Sequence, residues 1–107
     1  MPTIKTASTK LNSDVIHGLT TTATRVLTGN RSRRSLSIQN IGTTKVFIRF
    51  GAAPVLSGTK AYSFILTPAS GADEGDGGIL SVDNYPGEVW AVTASSTSTA
   101  IVTDFVG

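Results

Sequence analysis

The chain has 107 residues, which makes one domain and leaves no room for a cofactor-binding domain beside a catalytic one. Hydrophobic residues make up 39% and charged residues only 15%, below the roughly 25% of an ordinary soluble domain, so the wetted surface must be built largely from Thr, Ser and Gly. With no cysteine in the chain, a disulfide framework, a thiolate zinc site and a cysteine nucleophile are all excluded.

Residues 1–12 are polar and show no sustained period, and they read as an extended arm that becomes ordered on contact with something else. The arm lacks the apolar centre of a signal peptide, and no run approaches the roughly 18 apolar residues that span a bilayer. The protein is therefore expected to be soluble, made in a cytoplasm and without a membrane partner. The body, residues 13–107, opens with Val15–Leu19 and Thr22–Leu27, either two short strands or one strand bent near Gly18. Thr28-Gly29-Asn30-Arg31 is a turn signal, with Gly and Asn tolerating positive φ.

The stretch Arg33–Gly51, RRSLSIQNIGTTKVFIRFG, is the most informative. Leu36 and Ile38 alternate with Ser35, Ser37 and Gln39, and Val46, Ile48 and Phe50 alternate with Phe47 and Arg49, the two-residue period of a half-buried sheet. With Asn40-Ile41-Gly42-Thr43-Thr44 as a polar connection, the stretch is expected to be an antiparallel hairpin. Pro54 argues against a central strand in the break that follows. Ala61–Leu66 is the next strand, with Tyr62, Phe64 and Leu66 on one face and Ile65 on the other, and Thr67–Gly78 is a loop. Gly78–Val82, Glu88–Ala94 and Thr99–Phe105 complete the series, separated by the turn Asp83–Gly87 and the Ser/Thr run Ser95–Thr99. No segment has a helical period. Seven or eight short strands at intervals of roughly 8–12 residues describe an all-β antiparallel sandwich, with a jelly roll as one form of it.

These pieces in order, Arg33–Asn40, Val46–Gly51, a strand around Phe64 and Pro86–Val92, resemble small β-sandwich proteins encoded among the virion genes of tailed bacteriophages. The basic dipeptide Arg33-Arg34, the Ile38-Gln39-Asn40 and Arg49-Phe50-Gly51 endings and the Trp90-Ala91 pair carry the likeness, which covers about residues 31–107. It implies a head decoration (cement) protein or a fibre domain, hence a structural, oligomeric role on the particle. For a decoration protein the partners would be the major capsid protein and further copies of the chain, a homotrimer by analogy. The likeness brings no functional residues with it.

Charge is unevenly placed along the chain. Residues 1–60 hold all nine Lys and Arg residues against one acid, Asp14, a net of +8; residues 61–107 hold six acids and no Lys or Arg, a net of −6. The two halves either neutralise each other within the monomer or meet complementary surfaces outside it. Arg31, Arg33 and Arg34 form the densest basic cluster, and their guanidinium groups suit carboxylates on a capsid shell. A direct nucleic-acid role is not expected, because an RNA-binding aromatic motif, a recognition helix and a broad basic excess are all missing. Phe47 and Trp90 lie opposite the aliphatic rows of their strands, which would leave one apolar face wet in a monomer and favours its burial in an oligomer. Arg31, Arg33, Arg34, Arg49, Phe47 and Trp90 are accordingly the candidate interface residues.

Catalytic, cofactor and metal sites are not expected. His17 is the sole imidazole, and Ser13 and Asp14 are its neighbours in a row rather than strand-separated groups converging on a nucleophile. Asp73-Glu74-Gly75-Asp76-Gly77-Gly78 alternates acids and glycines but puts Gly where the third and fifth calcium ligands belong and has Asn84 at the twelfth place. An adhesive module of a head or tail fibre, binding a host-surface glycan through Thr, Ser and Asp in its loops, is the competing expectation.

Overall fold

The computed structural model describes residues 9–72 and 74–107. Alternating sequences with Thr and branched aliphatics form eight strands: β1 (Lys10–Leu19), β2 (Thr24–Leu27), β3 (Arg33–Asn40), β4 (Val46–Phe50), β5 (Phe64–Leu66), β6 (Ile79–Asp83), β7 (Val89–Val92) and β8 (Ser98–Val106). No helix occurs among the described residues. The strands form two four-stranded sheets, the first in the order β1-β8-β3-β6 and the second β2-β7-β4-β5. Every neighbouring pair is antiparallel, so the expected all-β antiparallel sandwich is the fold. Pairs β1–β8, β2–β7, β3–β6 and β4–β5 nest inside one another, and only the β4–β5 connection stays within one sheet.

The core lies where the inward rows meet. Leu36 and Ile38 of β3, Ala100 and Val102 of β8 and Leu80 of β6 face Val46 and Ile48 of β4, Val89 and Ala91 of β7, Val26 of β2 and Leu66 of β5. Phe50, Val82 and Tyr85 close one side of it. Burying a Leu, Ile or Val side chain contributes about 1.5–3 kcal/mol each, so this row-on-row contact is the principal force holding the sheets together.

The stretch Arg33–Gly51 is not a hairpin. β3 pairs with β6 and β8, β4 pairs with β5 and β7, and the two strands lie in opposite sheets. The period gives each strand an apolar face, and these two faces are buried against each other across the core rather than side by side. The connection is a corner fastened by Asn40, which is fully buried. Its Oδ1 accepts from Gly42 N (3.0 Å) and Ser98 Oγ (2.8 Å), and its Nδ2 donates to Thr44 O (2.7 Å) and Leu66 O (3.2 Å). Gly77 lies so close to the Asn40 carbonyl oxygen that a Cβ there would overlap it.

Three smaller expectations change. The arm boundary at 12 is too late, since Lys10 and Leu11 already pair with Val106 and Phe105; of the arm residues, 1–8 lie outside the described residues. Two strands, not one bent strand, open the body, and the break falls at Thr20–Ala23 rather than Gly18. Tyr62 does not share a face with Leu66, because regular pairing begins only at Phe64 and Tyr62 packs on Phe47.

Candidate functional site

Arg33, expected on a docking surface, is inside the protein. The pairing of β3 with β8 shifts between Arg33 and Ser35, and that of β1 with β8 shifts between Leu11 and Ser13. The first shift breaks the alternation and turns Arg33 toward the core. Its Nε donates to Asp104 Oδ2 (3.2 Å), and both side chains are 1% exposed. The remaining guanidinium donors reach Thr28 O (2.6 Å), Tyr85 O (3.2 Å) and Gly87 O (2.8 Å). Those carbonyls belong to the β2–β3 and β6–β7 connections, so one side chain ties together two chain crossings at the same end of the sandwich. Asp104 also accepts from Ser13 Oγ (2.5 Å) and Asn12 Nδ2 (3.1 Å), which fastens the start of β1. Burial pushes the Asp104 carboxyl upward, but the hydrogen bonds from Ser13, Asn12 and Arg33 and the charge of Arg33 outweigh it, holding the group below the usual carboxylate range. The pair is an internal clasp joining the basic and acidic halves of the chain.

Three of the six expected interface residues do come together, on the outer face of the second sheet. Because Val46, Ile48, Val89 and Ala91 point inward, Phe47, Arg49, Trp90 and Val92 point outward. Trp90 stands in register between Arg25 on β2 and Arg49 on β4, and Phe47 stands between Val92 and Ile65. Glu88 accepts from Arg25 Nη1 (2.9 Å) and from Trp90 Nε1 (3.4 Å), and these contacts hold its carboxyl below the ordinary range. Tyr62 meets Phe47 edge to face at 5.2 Å. Reading the sequence along β4 and β7 could find Phe47, Arg49 and Trp90; Arg25 and Tyr62 join them only through strand pairing and the path of the β4–β5 connection.

That connection also alters the argument for a wet second face. Arg49 Nη1 donates to Ala53 O (3.2 Å), and Val55 and Ala61 exchange backbone hydrogen bonds of 2.8 Å. Pro54, Val55 and Leu56 line an open groove of about 480 Å³ together with Val92, which is buried although it points outward. The chain thus covers part of this face itself. Phe47 and Trp90 are partly buried, and Tyr62 and Ile65 remain 38% and 43% exposed.

The other candidates lie apart. Arg31, in the β2–β3 connection, and Arg34, on β3 of the first sheet, are exposed beside the strand end where Arg33 is buried. His17 is partly buried on β1, opposite Ala100, and burial lowers its pKa below the ordinary imidazole range. Hydrogen bonds from the Ser70 side chain and from Ser70 N (2.9 Å to Oδ1) lower the Asp76 carboxyl and close the β5–β6 connection on itself; Asp73, the first acid of that loop, lies outside the described residues. Among the described residues no three His, Asp or Glu side chains gather as a metal site would require. No family model, no curated protein and no solved structure matches this chain.

Proposed function

We propose that the chain is a structural virion protein of a tailed bacteriophage, a capsid decoration protein that binds the outer surface of the shell and stabilises it as a homotrimer. The observation that carries the reading is the cluster of Trp90, Phe47 and Tyr62 with Arg25 and Arg49 on one outer face. Aromatic residues and Arg are the types enriched at protein–protein contacts and at their energetic centres. The nested pairing, 1-8-3-6 against 2-7-4-5, is compatible with a jelly roll, an architecture that capsid domains use and lectins share. By analogy of fold it supports a virion role without choosing between shell and glycan as partner. Exposed Ile16 and Ile79 on the first sheet offer further apolar area for copies to meet.

The test uses particles of the encoding virus prepared without this protein. Purified protein added back should co-sediment with the shells to saturation, raise their resistance to heat and appear by electron microscopy as density outside the capsid. Removing residues 1–9, which leaves β1 whole, should abolish binding if the segment acts as an arm. Binding to host cells or their polysaccharide, with none to shells, would establish the fibre-adhesin reading instead.

A further inference from the structure

The two sheets differ in charge. β2, β4, β5 and β7, with the β4–β5 connection and the residues flanking the strands, contain Arg25, Lys45, Arg49 and Lys60 and one acid, Glu88, a net of three positive charges. Every other carboxylate side chain lies on β1, β6 or β8 or in the β5–β6 connection. On the strands of the first sheet Lys10, Arg33 and Arg34 match Asp14, Asp83 and Asp104, so the second sheet is the more positive of the two. On the positive side, Arg25 and Arg49 flank Trp90 from the two neighbouring strands. With strands about 4.8 Å apart, their backbones stand roughly 10 Å from each other. Arg25 already holds Glu88, whereas Arg49 donates to a backbone carbonyl and has no acidic partner among the described residues.

We propose that this outer face binds a carboxylate-rich segment of a partner protein, with Trp90 as the central contact and Arg25 and Arg49 receiving carboxylates on either side. Charge complementarity selects the occupant. A guanidinium meets a carboxylate bidentately, and the aromatic surface between the two arginines takes the apolar stem of the segment. The positive charge of the second sheet also sets the direction of approach, drawing an acidic surface to it rather than to the first sheet, whose strands carry no net charge. On the decoration reading, the segment would belong to the capsid protein.

Trp90 is the only tryptophan in the chain, so its fluorescence reports on this face directly. Titrating the full-length protein with decaglutamate at low salt should shift the Trp90 emission to saturation, whereas decalysine should not. Raising the salt to several times the protein's low-salt buffer should weaken the binding, as expected of exposed charges. Arg49→Glu, and independently Lys45→Glu, should weaken it by about tenfold, with circular dichroism confirming that each variant is folded. No emission shift with decaglutamate, or a shift that neither substitution alters, overturns the proposal. Tighter binding of a ten-nucleotide oligo(dT) than of decaglutamate would assign the face to nucleic acid and likewise overturn it. The assay contains no capsid. Decaglutamate binding without shell binding would therefore refute the decoration reading alone, and shell binding without decaglutamate binding would refute this proposal alone.

Discussion

Replacing Asp104 with Asn tests the buried clasp. The substitution keeps the side-chain shape and leaves an oxygen to accept from Ser13, but it removes the negative charge that faces Arg33 at 3.2 Å with both side chains 1% exposed. Removing one partner of a buried ion pair costs about 3–5 kcal/mol, because the other charge stays in a poorly solvating interior. Arg33 keeps three carbonyl acceptors, Thr28, Tyr85 and Gly87, so the lower part of that range, about 3 kcal/mol, is expected. A domain of this size has a total stability of about 5–15 kcal/mol, so the loss should show as a clear fall in the urea midpoint at pH 7 with unchanged slope. In a double-mutant cycle with Arg33→Met and Asp104→Leu, the double variant should lose roughly 2 kcal/mol less than the two single variants together. A second readout is pH. Because the folded Asp104 carboxyl titrates below its unfolded value, its contribution is complete above about pH 4 and is lost as pH falls through the lower folded value. Asp104→Asn should therefore unfold with a flatter acid limb than the native chain. A loss under about 1 kcal/mol, together with near-zero coupling in the cycle, would refute the clasp as a stabilising device.

Three further substitutions probe the opposite end of the sandwich. Asn40→Ala removes the acceptor of Ser98 Oγ and the donor to the carbonyls of Thr44 and Leu66, while Gly42 N keeps Thr99 O, and should cost about 2–4 kcal/mol in the same urea measurement. Gly77→Ala sets a methyl against the Asn40 carbonyl and should cost more than about 2 kcal/mol, while Gly18→Ala, where a Cβ meets nothing within 4 Å, should stay within about 0.5 kcal/mol.

The legible part of the fold was the part that a two-residue period can carry. Leu36, Ile38, Val46, Ile48, Val89 and Ala91 all point inward as their alternation requires. The period does not name a strand's partner, and for that reason β3 and β4 look like a hairpin in sequence and lie in opposite sheets. Nor does it survive a register shift: the shift beside Arg34 turns Arg33 from a surface cation into a buried one, bound to a carboxylate 71 residues away. Of the candidate interface, Phe47, Arg49 and Trp90 were legible as outward positions. Arg25 needed the β2–β7 pairing to bring it beside Trp90, and Tyr62 needed the fold of the β4–β5 connection over the sheet.

The nested pairing bears on how the chain folds as it is synthesised. The innermost pair, β4 with β5, joins Val46–Ile48 to Phe64–Leu66 and can form as soon as both have emerged, whereas the outermost pair joins 10–19 to 98–106. Closing a loop of that length delays the reward of the contacts it makes, and topologies rich in such contacts fold slowly. β3, at the centre of the first sheet, waits with one edge open until β8 arrives. A nascent chain stalled before residue 98 would hold the second sheet's four strands complete in sequence and the first without its central partner, exposing Leu36 and Ile38 to solvent and to neighbouring chains.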